Sequence, residues 1–116
     1  MSGKYALFAF NGEAMCFVHV LLNALDLAAR GHEVQVVVEG AACGLVPRLA
    51  EAGSPLAPLF AQAREQGLVA GVCRACAAKL GTLAAAEAQG LPLLADMQGH
   101  AGMAGFVSQG YTIITF

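Results

Sequence analysis

Cys73 and Cys76 stand three positions apart in Val72-Cys73-Arg74-Ala75-Cys76, where an apolar strand is expected to turn into a helix. A thiol at such a point is expected to be exposed at a sheet edge. It would meet the positive end of the helix dipole, with Arg74 beside it and Lys79 about one turn on. Each influence favours thiolate over thiol. Three chemistries fit a C-x-x-C of this kind. One is thiol–disulfide exchange. The second is sulfur transfer, in which a thiolate takes sulfane sulfur and holds it as a persulfide. The third is half of a zinc or iron site, completed by Cys43, Cys16 or His100. Against these stands plain packing by two small apolar residues. The sequence holds no second C-x-x-C, and its one C-x-x-H, Cys16-Phe17-Val18-His19, lies on the first helix, so the metal is left unassigned and no cofactor is called for.

The elements that would position these groups alternate between strand and helix. Apolar runs predict strands over Tyr5 to Phe10, Glu33 to Glu39, Leu68 to Val72, Leu91 to Ala95 and Tyr111 to Phe116. The β-branched run of Val34, Val36, Val37 and Val38 is typical of an inner parallel strand. Helices are expected over Ala14 to Arg30, around Pro47, over Leu59 to Gln66, over Ala75 to Gln89 with a break at Gly81, and over Gly99 to Gln109. Gly40 to Gly44 is expected as a small-residue turn. This β-α-β-α order predicts a single α/β domain over residues 1–116 with a largely parallel five-stranded sheet.

In such sheets ligands bind beyond the carboxyl ends of the strands. The residues after the expected strands are Asn11, Glu13 and Cys16; then Glu39 and Cys43; then Cys73, Cys76 and Lys79; then Asp96, Met97 and His100. All four cysteines therefore fall on one edge. His100 is a candidate acid–base partner for Cys73. Asp96 is a candidate auxiliary group or a cap for the helix after it. Cys43 is expected as a small turn residue, its functional reading being that it faces Cys73 across the edge, and Cys16 shares a helix stripe with His19. Asn11-Gly12-Glu13 could seat an anion, but no G-x-G-x-x-G or G-x-x-x-x-G-K pattern accompanies it.

The chain is 58% hydrophobic with only 12% charged residues and a net charge of −2. Ordinary domains carry roughly 25% charged residues. The apolar excess predicts burial between subunits. The lack of a basic block argues against nucleic acid. No stretch reads as a membrane span or a signal-peptide core, so a cytoplasmic setting with reduced thiols is expected.

The Cys turn, with Ala77, the basic Lys79 and Gly81 eight residues after Cys73, resembles the DsrE/DsrF-like family, including its YchN-like and TusD-like members. The resemblance runs along the whole chain, through Asn23-Ala24-Leu25, the Gly31 break and the closing Gly110-Tyr111 strand. It implies a three-layer α/β/α sandwich, and assembly into trimers, hexamers or hetero-oligomers of related subunits. It also implies that Cys73 accepts sulfur as a persulfide in sulfur relay; the reading that follows is a sulfur-handling protein with Cys76 to resolve or share the sulfur and a donor or acceptor protein as partner. Cys16 and Cys43 lie outside the family motif. The alternative is an oligomer that binds a metal or small ligand through Cys73 and Cys76 without turnover.

Overall fold

A computed structural model describes residues 2–116. Its five strands are β1 (Lys4–Ala9), β2 (Glu33–Val38), β3 (Val69–Cys73), β4 (Leu93–Leu94) and β5 (Thr112–Thr115). They form one sheet in the order β4-β3-β2-β1-β5, and every pairing is parallel. The helices are α1 (Ala14–Ala29), α2 (Leu56–Glu65), α3 (Arg74–Lys79), α4 (Leu83–Ala88) and α5 (Ala104–Ser108), with a 3-10 helix over Gly40–Leu49.

The chain steps from β1 to β4 in one direction and then returns across the sheet to β5. Right-handed crossovers put the outward connections on one face and the return on the other. α1 and α2 accordingly pack together against the sheet. α5 lies on the opposite face, where Phe106 meets Phe8 edge to face at 5.6 Å between ring centroids. This is the expected three-layer α/β/α sandwich. Its core runs along the inner strands: Leu7, Phe8, Val36, Val37 and Val38 are all fully buried.

Four expectations need correction. The turn expected over Gly40 to Gly44 and the short helix after it are one continuous 3-10 helix. α2 begins at Leu56, ahead of Pro58, because a proline in a first helical turn gives up a donor that has no partner there anyway. The strand expected over Leu91 to Ala95 pairs only at Leu93 and Leu94. The helix expected from Gly99 is confined to Ala104–Ser108. Its intended first turn is instead a two-residue turn between Met97 and His100. Gln98 and Gly99 both take positive φ (53° and 88°), and Met97 and His100 exchange backbone hydrogen bonds of 2.8 and 2.9 Å. Positive φ at both central residues is the signature of the tightest reversals.

One irregularity aims the site. β3 pairs Val69 with Val36 but Gly71 with Val37, leaving Ala70 as an extra residue. Such a bulge reverses which face each later side chain meets. In-register residues of parallel strands share a face, so Gly71 and Cys73 join the face of Val37 and Phe8. Without the bulge Cys73 would turn toward the α1 layer. Glu39, two residues beyond Val37 and still extended, shares that face. Gly71 is required here. Its φ is 154°, and a Cβ would lie 2.5 Å from the Pro92 carbonyl oxygen.

Candidate functional site

The carboxyl ends of β2 and β3 and the turn after β4 converge on one cluster. Its members are Glu39, Cys73, Cys76 and His100, whose ligand-type atoms all lie within 4.8 Å of one another. Cys73 ends β3, and Cys76 lies in the first turn of α3. The His100 imidazole reaches both sulfurs through Nδ1, at 3.3 Å from Cys73 Sγ and 3.5 Å from Cys76 Sγ. The Cys76 thiol donates to Glu39 Oε1 at 3.8 Å. Two backbone links hold the turn in place. Ala75 N–H donates to the Gly99 carbonyl at 3.0 Å, tying α3 to the turn. Gly102 N–H donates to Asp96 Oδ1 at 3.0 Å, closing the loop that carries His100.

The two thiols differ in access. Cys73 is fully buried, whereas Cys76 is half-buried. Cys76 borders a pocket of about 320 Å³ lined by Gly40, Ala41, Lys79, Leu80 and His100. The expectation of an exposed, thiolate-favouring Cys73 is therefore corrected. Burial pushes the Cys73 thiol up to about 11. The backbone N–H groups of Cys76 and Ala101 pull the other way without prevailing. Arg74 points to solvent, and Lys79 sits on the rim of the pocket. Among the described residues neither makes an ion pair. Loss of water around the sulfur outweighs the helix start and its basic neighbours.

Of the auxiliary residues, only His100 joins the thiols. Cys43 is buried, and its thiol donates to the Val38 carbonyl at 3.6 Å and faces the Cys73 carbonyl at 3.9 Å. It meets the backbone of Cys73 and is not a member of the cluster. Burial, with the nearby Cys76, Cys73 and Glu39 charges, pushes Cys43 up to about 12. Cys16 sits in the first turn of α1, outside the cluster. Asp96 braces the His100 loop and does not start α5. Glu39 stands at the carboxyl edge in the sequence, but nothing in the sequence marks it as a partner of the thiols. It is an acid closing a valine-rich strand, a place where a solvated side chain is the ordinary outcome. Here it is only 6% exposed.

The protein is thus a parallel α/β/α sandwich that gathers two cysteines and a histidine at the carboxyl edge of its sheet. Residues 6–116 match the model of the DsrE/DsrF-like family, and the chain belongs to that family. It is 30% identical over 97 residues to an uncharacterized protein of Methanocaldococcus jannaschii, covering 84% of this chain and 77% of that protein. It is 37% identical over 51 residues to an uncharacterized protein of Archaeoglobus fulgidus, covering 44% of this chain and 84% of that one. No solved structure matches. No helix among the described residues is long and apolar enough to cross a membrane.

Proposed function

We propose that the protein carries sulfane sulfur as a cysteine persulfide on the Cys73/Cys76 pair. The observation that carries this reading is one imidazole in contact with two thiols of which only Cys76 opens to a pocket. Family membership supports it by pointing to sulfur relay.

His100, as the neutral imidazole, takes the Cys76 proton. The Cys76 thiolate attacks the outer sulfur of a donor persulfide, R–S–SH. A Cys76 S–S bond forms, the donor S–S bond breaks, and R–S⁻ leaves. Lys79 at the pocket rim favours the departing R–S⁻. The load leaves by either of two routes. An acceptor thiolate takes the outer sulfur and regenerates the Cys76 thiolate. Alternatively, once His100 has passed its proton to the departing R–S⁻, it takes the Cys73 proton, and the Cys73 thiolate attacks the inner sulfur of the Cys76 persulfide, which expels hydrosulfide. The sulfane sulfur is reduced and the two cysteines are oxidised to a disulfide. The buried Cys73 suits this resolving role, because its sulfur lies within 4.8 Å of Cys76 and away from competing solutes. Sulfur thus enters at Cys76, and Cys73 stands behind it.

We also propose assembly with further copies of the chain or with related subunits. Met15 and Leu22, one heptad apart on α1, are 75% and 45% exposed.

Intact-mass measurement after incubation with inorganic polysulfide tests the carrier role. Wild type is expected to gain sulfur. Cys76→Ser is expected to gain far less, and Cys73→Ser to gain sulfur and release little hydrosulfide. Equal loading of wild type and Cys76→Ser contradicts the reading.

A further inference from the structure

The same cluster has a feature that sulfur transfer leaves unexplained. Glu39 is buried, yet its side chain makes no ion pair among the described residues, and its side-chain contacts are the thiols. Burying an ionised carboxylate is costly unless it is paired or coordinates a metal. Sulfur transfer also has no use for a carboxylate beside the attacking sulfur, where it repels the developing thiolate.

The donor geometry resolves this. A four-coordinate zinc ion holds sulfur at ~2.3 Å and nitrogen or oxygen at ~2.0 Å, which places tetrahedral donors ~3.3–3.8 Å apart. The observed separations are 3.3 Å between Cys73 Sγ and His100 Nδ1, 3.5 Å between Cys76 Sγ and His100 Nδ1, and 3.8 Å between Cys76 Sγ and Glu39 Oε1. All four donor atoms fit within 4.8 Å of one another. The donors come from three separate segments held by the β3 bulge, the tight turn at Gln98-Gly99 and the link from Ala75 to Gly99. Two sulfurs, one imidazole nitrogen and one carboxylate oxygen suit a thiophilic cation and disfavour calcium or magnesium, which take oxygen ligands.

We propose that Glu39, Cys73, Cys76 and His100 form a binding site for a thiophilic divalent cation, with Zn²⁺ the best match, and that the bound ion withholds both thiols from sulfur transfer. The cation site stands on the donor geometry. Only its effect on sulfur loading rests on the carrier reading. On binding, each thiol gives up its proton to solvent, Glu39 supplies a further negative charge, and His100 binds through Nδ1 with its proton on Nε2. All four positions on the metal are then filled by protein. No thiolate remains free to attack a donor, so metal and sulfur compete for one site.

Titration of reduced, chelator-treated protein with Zn²⁺ against a chromogenic chelator is the first test, with one ion per chain expected. Cys76→Ser and His100→Ala should each weaken binding by ~100-fold or more, and Glu39→Gln by ~10-fold. Co²⁺ added to unmutated protein provides a readout that does not depend on a variant folding. It should give a thiolate-to-cobalt charge-transfer band and the intense visible bands of a tetrahedral site. Absent stoichiometric Zn²⁺ binding, or cobalt spectra without thiolate bands, overturns the cation site. Polysulfide loading is measured in parallel on metal-free and Zn²⁺-loaded protein. Loading of the metal-free form alone supports the competition, and equal loading of both refutes it. Zinc binding by a protein that never takes sulfur leaves the cation site standing and removes the carrier reading.

Discussion

Gly71→Ala should unfold the protein at a lower temperature and open the thiol site. The added Cβ would lie 2.5 Å from the Pro92 carbonyl oxygen and 3.1 Å from Leu94 Cγ. Pro92 is backbone and cannot swing aside as a flexible side chain would. Its carbonyl also accepts from Val72 N–H at 2.9 Å, so relieving the clash stretches the bond that joins β3 to β4. Losing one such bond costs about 1 kcal/mol. Holding alanine at a φ of 154° adds a backbone cost of about 1–3 kcal/mol. The sum is roughly 2–4 kcal/mol, and at ~3–6 °C per kcal/mol for a domain of this size the midpoint falls by roughly 6–24 °C. Circular dichroism melting under reducing conditions reads this directly. Gly105→Ala is the control, since nothing lies within 4 Å of its added Cβ and its position in α5 favours alanine. Because β3 ends at Cys73 and β4 leads to the His100 turn, Gly71→Ala should also raise the reactivity of Cys73. A midpoint for Gly71→Ala within ~2 °C of wild type would refute the argument that the bulge and the β3–β4 contact aim the site.

Further outcomes follow from the same geometry. With a thiol reagent at pH 8, Cys16 and Cys76 should react first. Cys73 and Cys43, pushed up to about 11 and about 12, should trail well behind; their thiolate fractions at that pH are only ~10⁻³ and ~10⁻⁴. Fast modification of Cys43 in folded protein would contradict its burial. Tyr111 is pushed up to about 12, first by burial and then by its hydrogen bond to Glu33. A raised folded value favours the neutral phenol, so its contribution is complete below ~10, the unfolded value, and is lost as pH climbs from there through the folded value. Urea titrations should show wild type losing more stability than Tyr111→Phe across that window, and parallel losses would contradict the assignment. Light scattering at micromolar concentration should give a mass above that of one chain, and a purely monomeric protein would overturn the assembly proposal.

The strands were legible because apolar runs such as Val36-Val37-Val38 announce burial on both faces, and the turn to helix after Cys73 followed from the apolar run ending in a Cys-x-x-Cys. The carboxyl edge was legible from the strand order, which brought His100 toward the thiols. The rest depended on features with no one-dimensional period. The bulge at Ala70 comes from how β3 fits β2 and β4, and only Gly71 hints at it. The reversal at Gln98-Gly99 straddles the start expected for the last helix, and no periodic pattern marks it. The burial of Cys73 and Glu39 is a tertiary outcome: His100 and Ala101 close on Cys73, and Glu39 is held against Cys76. That burial reversed the electrostatic expectation and moved the accessible thiol from Cys73 to Cys76.

The central claim is that sulfane sulfur enters at Cys76. It is tested most directly by loading reduced, metal-free wild-type protein with polysulfide, alkylating it, digesting it and locating the extra sulfur by tandem mass spectrometry. The sulfur is predicted on Cys76 at short times, with a Cys73–Cys76 disulfide accumulating as hydrosulfide is released. Sulfur found first on the bystander Cys16, or distributed over all four cysteines, would contradict the account.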